Sequence, residues 1–105
     1  MQDEVWIGLV HVRPKPGTSP LGEGAKGAYS NIAALAGSHD EYVKAIRAEM
    51  DNSDLLVMEM SDVAPAEIYR KEGRMFGEVA GLCSSLSPSF PVQYKTFNTY
   101  HNDDA

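Results

Sequence analysis

The run PKPGTSPLGEGAKG, residues 14–27, constrains the fold more than any other part of the sequence, because it holds three prolines and four glycines. Proline lacks the amide hydrogen that a strand ladder needs, and glycine loses more conformational freedom than other residues when it is ordered. We therefore expect a long loop over 14–27. Loops of this length in compact domains are often functional or mobile.

The segment before this loop is a predicted strand. Residues 5–13, VWIGLVHVR, are rich in β-branched and aromatic side chains, and both alternating faces begin apolar. This pattern predicts a central strand. His11 and Arg13 continue one face as the strand leaves the core, and Pro14 ends the ladder.

Residues 28–36, AYSNIAALA, fit two structures. Their apolar residues form a helical stripe, and alternate residues from Ala28 to Ala36 equally form one face of a strand. Alanine favours a helix, whereas the flanking glycines favour a short strand. We favour the strand, which would pair with the first strand as a long-loop hairpin.

The remaining elements have clearer signals. Ser38 and Glu41 form a capping box that predicts a helix ending at residues 51–54, and LLVMEM, 55–60, predicts a strand. A second helix is predicted from SDVAPAE, 61–67, through Cys83, with Pro65 near its first turn. The alternation in VQYKTFNTY, 92–100, predicts a last strand, and the tail 101–105 is expected to fray.

The predicted element order is β-β-α-β-α-β in one domain of 105 residues. The expected fold class is α+β, a two-layer sandwich with a ferredoxin-like general architecture. Four mainly antiparallel strands would form the sheet, and two helices would pack on one face. The other face would be open to solvent or to a second subunit.

The formal net charge of −6 argues against a general nucleic-acid binder and against binding to an anionic membrane surface. No stretch approaches the ~18 apolar residues of a membrane span. The acidic start, MQDEVW, has no signal-peptide pattern. We expect a cytoplasmic protein that binds neither nucleic acid nor membrane.

No motif assigns a catalytic centre, a metal or a cofactor, and an enzyme is not the favoured interpretation. His11, His39 and His101 lack metal-ligand spacing. GEGAKG, 22–27, has the spacing G-x-G-x-x-G but lies in the long loop before a segment favoured as a strand, whereas the dinucleotide fingerprint follows a strand and opens a helix; Glu23 would also repel a phosphate. Cys83, the only cysteine, excludes an internal disulfide, and its apolar surroundings predict a buried core residue.

Three groups of residues are candidate sites. The first lies at the end of the first strand and would gather tyrosines if the last strand pairs with it: His11, Arg13, Lys15, Tyr94 and Tyr100. The second is an acidic surface for a partner: Asp40, Glu41, Asp51, Asp54, Glu59 and Asp62. The third is a possible oligomer seam on the second helix, where every fourth residue is small: Gly73, Gly77 and Gly81.

Three functions are compatible with these features. The first is a small acidic binding protein that inhibits or neutralises a partner protein by occlusion, as immunity proteins, antitoxins and phage-encoded inhibitors do. Its partner would present a basic surface. The second is a dimeric domain that binds a small ligand or acts as an enzyme, using the open sheet face near His11 and Arg13. The third is a structural subunit of an oligomer that is joined at the glycine seam; a homodimer is one such oligomer.

Overall fold

An antiparallel hairpin between β1 (Glu4–Pro14) and β2 (Gly27–Ala36) forms the centre of the fold. A computed structural model of the chain describes residues 4–101. The pairing runs without interruption from Glu4 opposite Ala36 to Val12 opposite Ala28. The strand predicted for 28–36 is therefore confirmed. The loop after β1 is confirmed over residues 15–26, because Pro14 and Gly27 belong to the strands. The expected fraying of the tail concerns residues that, apart from His101, lie outside the described part.

The hairpin is extended on both sides into a five-stranded antiparallel sheet. β3 (Leu55–Pro65) pairs with β1 and forms one edge, while β4 (Val92–Gln93) and β5 (Asn98–Tyr100) both pair with β2. The prediction of one last strand over 92–100 is wrong. Residues 94–97 leave the ladder, because Tyr94 and Phe97 pack into the core and the Ser30 hydroxyl donates to the Thr96 carbonyl over 2.8 Å.

The helix α1 (His39–Asn52) begins where the capping box predicts it. The Glu41 amide donates to the Ser38 Oγ over 3.2 Å, and the Gly37 amide donates to the Glu41 carboxylate over 2.6 Å. Tyr42, Ile46 and Met50 form its buried face.

The second predicted helix is wrong in its extent, because two short helices occupy its place. β3 continues through Pro65, and only then does α2 (Ala66–Lys71) begin, followed by α3 (Gly77–Ser84). Gly73, between the two helices, and Gly77, the first residue of α3, have φ angles of 73° and 59°, a left-handed conformation that a continuous right-handed helix does not contain. The one helix face on which the proposed seam of Gly73, Gly77 and Gly81 depended does not exist.

The helices lie on both faces of the sheet, which corrects the prediction that they cover one face. α1 packs on the side that carries Val10, Val12 and Ile32. α2 and α3 pack on the opposite side, where Ile7 and Ala33 point. In the described part of the chain the fold is a small α+β domain with five strands and three helices, instead of four and two, and the two-layer ferredoxin-like arrangement is not confirmed. Within residues 4–101, no helix is long and apolar enough to cross a membrane.

Tyr42 fastens α1 to the hairpin. Its ring lies over Gly8, where an added Cβ would come within 2.8 Å of the tyrosine hydroxyl. The hydroxyl donates to the Ile32 carbonyl over 2.8 Å, and burial raises the pKa of Tyr42 well above its usual range. One side chain thereby contacts both strands of the hairpin.

We expect Tyr42→Phe to lower the free energy of unfolding by about 1–3 kcal/mol, because it leaves the buried Ile32 carbonyl without its hydrogen bond. The matched control is Tyr94→Phe, whose hydroxyl has no hydrogen-bond partner among the described residues. This control should change stability by less than about 0.5 kcal/mol. Urea unfolding followed by circular dichroism measures both, and equal losses would contradict the role of the Tyr42 hydroxyl.

Candidate functional site

The helices of the described part of the chain leave part of one sheet face uncovered. α2 and α3 cover the end of this face near Ile7 and Ala33, and side chains from four strands continue it beyond them. All of these side chains are exposed or half-buried. We call this surface the open face: it consists of Leu9, His11, Arg13, Tyr29, Asn31, Leu56, Glu59, Ser61, Asn98 and Tyr100.

Three rings lie together in the open face. The His11 ring stacks on Tyr29 with 4.5 Å between centroids and 11° between planes. His11 Nε2 and the Tyr100 hydroxyl share a hydrogen bond of 2.6 Å. A neutral His11 with a free Nε2 accepts this bond, and a protonated His11 donates it, so the contact is compatible with either charge state. We refer to His11, Tyr29 and Tyr100 as the ring cluster.

A glycine makes room for the ring cluster. Gly27 pairs with Tyr100 in the ladder, and a Cβ at Gly27 would collide with the hydroxyl and ring of Tyr100. The neighbouring Lys26 amide donates to the Tyr100 carbonyl over 2.8 Å. The start of β2 therefore holds both the backbone and the ring of Tyr100 in place.

The structure brings together only part of the first predicted site. His11, Arg13 and Tyr100 share the open face, although β5 reaches it by pairing with β2 and not with β1. Lys15 lies just beyond the strand, where its ammonium group is 2.6 Å from the Asp51 carboxylate. Tyr94 belongs elsewhere, because it packs against Phe97 beside the α1 core.

Tyr29 is a site residue that the sequence analysis did not identify. It contributes the ring on which His11 stacks, and it pairs directly with His11 in the ladder. The alternation of apolar residues from Ala28 to Ala36 is the signal that places Tyr29 on the opposite face. That signal was usable only once the segment was known to be a strand.

The predicted acidic residues do not form one surface. Asp40 and Glu41 lie in the first turn of α1 and Asp51 in its last turn, at opposite ends of a 14-residue helix about 20 Å long. Asp54 follows α1 in the turn to β3. Glu59 belongs to the open face beside His11. These residues remain a predicted partner surface, but as separate patches.

Asp62 lies in an irregular part of the β3 edge. The pairing of β1 with β3 shifts between Ile7 and Leu9, and Asp62 has a φ of 54° there. Its carbonyl accepts a hydrogen bond of 2.6 Å from the Tyr69 hydroxyl. The backbone carbonyl of Asp62 therefore helps to attach α2 to the edge strand. Its side chain takes no part in this contact.

The other reactive side chains lie apart from the ring cluster. Cys83 belongs to α3 and is half-buried against the core cluster of Ile7 and Ala33, and this burial raises the pKa of its thiol. His39 and His101 are exposed. Within residues 4–101, no three histidine, cysteine, aspartate or glutamate side chains come close enough to hold a metal ion.

Comparison of the chain with protein-family models, with curated proteins and with solved structures finds no match.

Replacing Gly27 by alanine should disrupt the ring cluster. We expect Gly27→Ala to displace Tyr100 from His11 and to lower the free energy of unfolding by about 1–3 kcal/mol, since the site has no room for a methyl group. Gly81→Ala is the matched control, because a Cβ there would meet only the Lys95 ammonium group at 3.6 Å. It should raise stability by about 0.5–1 kcal/mol as a helix-favouring change in α3.

Denaturant unfolding measures whether each variant is less or more stable than wild type, and the NMR signals of the His11 ring report the loss of the Tyr100 contact. A stable Gly27→Ala protein with unchanged His11 signals would contradict this geometry.

Proposed function

We propose that this protein is a small protein-binding module that inhibits or neutralises its partner by occlusion, and that the open face is its docking surface. The observation that carries the proposal is the composition of this uncovered face. It combines tyrosine rings and leucines with hydrogen-bonding groups from Asn31, Glu59 and Ser61. Protein interfaces are enriched in tyrosine and arginine and carry polar groups between apolar anchors.

The ring cluster suits a docking surface because it is ordered before any partner arrives. His11 is stacked on Tyr29 and hydrogen-bonded to Tyr100, so its rotamer is fixed in the free protein. A side chain that is already fixed loses little entropy on binding. Leu56, with 43% of its surface exposed, adds an apolar anchor at the edge strand.

A different protein is a better partner for this face than a second copy of the chain. Permanent homodimer interfaces are more apolar than ordinary surface, whereas the open face contains His11, Arg13 and Glu59 among its apolar groups. Two copies would each bring a net charge of −6, and this repulsion opposes self-association. A separate partner with a basic surface would be attracted by the same charge.

Occlusion is a mode of action that needs only a surface of the right shape and chemistry. The chain is small, and its acidic patches at the two ends of α1 would speed the approach of a basic partner. Immunity proteins, antitoxins and phage-encoded inhibitors act in this general way.

A second candidate is the dimeric ligand-binding or enzymatic domain. The hydrogen bond between His11 and Tyr100 favours it, because an imidazole paired with a phenol can act as an acid–base group. A small ligand would bind over the ring cluster, and a second subunit would have to enclose it. This candidate predicts a dimer, which the first does not.

The proposal is tested by capture of the partner from the native host, followed by measurement with the purified pair. Leu56→Asp should weaken the complex by about tenfold or more, because it places a charge among desolvated apolar contacts. The matched control is Phe90→Asp, since Phe90 is 65% exposed in the turn before β4, at the other end of β2. This control should leave the dissociation constant within about twofold.

Calorimetry gives both dissociation constants, and the captured partner's own activity should fall as the protein is added. The association rate should also fall with added salt. Equal affinities of wild type and Leu56→Asp for the partner would contradict the proposal that the open face is the docking surface. A dimer in sedimentation that becomes monomeric in Leu56→Asp would assign the face to a second copy and contradict the proposed partner.

A further inference from the structure

A groove of about 400 Å³ lies where the sheet meets the long loop. Its walls come from the end of β1, from the first residues of the loop and from the residues just before β2. Three of the residues that line it are cationic: Arg13, Lys15 and Lys26. The whole chain has nine lysines and arginines against fifteen acids, so a third of its cationic residues gather at this one place.

The backbone around the groove is held by hydrogen bonds at both ends. The Lys15 amide donates to the Asp54 carbonyl over 2.9 Å, and the Thr18 hydroxyl donates to the Lys15 carbonyl over 2.7 Å. The Lys26 amide donates to the Tyr100 carbonyl over 2.8 Å. Prolines on both sides of Lys15 restrict the backbone further. The three cations are therefore carried by fixed segments, although the loop between them is long.

We infer that this groove binds a small anion that carries a phosphate group. An arginine offers a planar pair of donors that fits a phosphate, and lysines add positive charge from other directions. The volume is at the lower end of the range for small-molecule sites and is larger than one phosphate needs. The site goes beyond the proposed function, because it would bind a small molecule and lies beside the docking surface.

Asp51 sets the strength of the site through Lys15. Its carboxylate forms an ion pair with Lys15 over 2.6 Å and so competes with any bound anion. The Lys15 ammonium group also donates to the Asp51 backbone carbonyl over 3.1 Å. Neutralising the carboxylate would therefore free positive charge while leaving a second contact to hold the lysine in place.

The test is a titration of the full chain with pyrophosphate, inorganic phosphate and glycerol 2-phosphate at low ionic strength, followed by amide NMR shifts. We expect saturable shifts around the groove, with a dissociation constant for pyrophosphate of about 1 mM or tighter. Lys26→Ala should weaken binding by about fivefold or more, because it removes one of three charges. Lys44→Ala, an exposed lysine on α1, is the matched control and should change it by less than about twofold.

Asp51→Asn should change anion binding in the opposite direction to Lys26→Ala. It should strengthen binding by about two- to fivefold, since it removes a negative charge next to Lys15. Inorganic phosphate and glycerol 2-phosphate distinguish a free phosphate from a phosphate carried on a larger molecule; binding of either supports the site, and the tighter one identifies the source.

Shifts that grow linearly up to about 20 mM ligand would overturn the inference, because they indicate general charge screening. Equal losses in Lys26→Ala and Lys44→Ala would overturn it as well. So would an Asp51→Asn variant that folds normally but binds no more tightly than wild type. Circular dichroism of each variant separates these outcomes from a loss of fold.

Discussion

The uninterrupted register between β1 and β2 is the constraint on which the rest of the structure depends. Nine consecutive residue pairs fix which side chains face α1 and which face the open side. A shift of one strand by one residue would exchange the two faces of that strand, because neighbouring side chains on a strand point in opposite directions. If β1 shifted against β2, Val10 would leave the core, and His11 would be buried under α1, on the other side of the sheet from Tyr29. The core and the candidate site are therefore two consequences of the same register.

The unequal cover of the two sheet faces explains where a site can exist. α1 spans its face and is fastened through Tyr42, which needs the space above Gly8. On the other face, α2 and α3 are short. Gly73 lies between them and Gly77 is the first residue of α3, and the left-handed conformation of both glycines prevents one continuous helix. Two short helices cannot cover strands as long as β1 and β3, which have 11 residues each. The open face is what remains.

Much of the fold follows from local signals, and the errors have tertiary causes. The capping box at Ser38 and the β-rich composition of β1 act within a few residues, so they predict elements well. The break in 92–100 depends on Phe97 reaching the α1 core and on Ser30 bonding to Thr96, contacts between distant segments. The placement of helices on both faces likewise depends on packing that periodicity does not report. His11 was identifiable from its place at a strand end. Lys26 was not, because nothing in a loop sequence shows which strand end it will lie beside.

The open face and the cationic groove meet at Arg13, which belongs to both. Charge at the border of an interface changes encounter rates and partner choice more than it changes packing. An anion held by Arg13, Lys15 and Lys26 would reduce the positive charge at that border and leave the ring cluster untouched. If the groove and the open face are both used, ligand and partner must change each other's affinity by the same factor, because coupling between two sites is reciprocal. An acidic protein that gathers a third of its cationic residues beside an uncovered sheet face has the arrangement that such coupling requires.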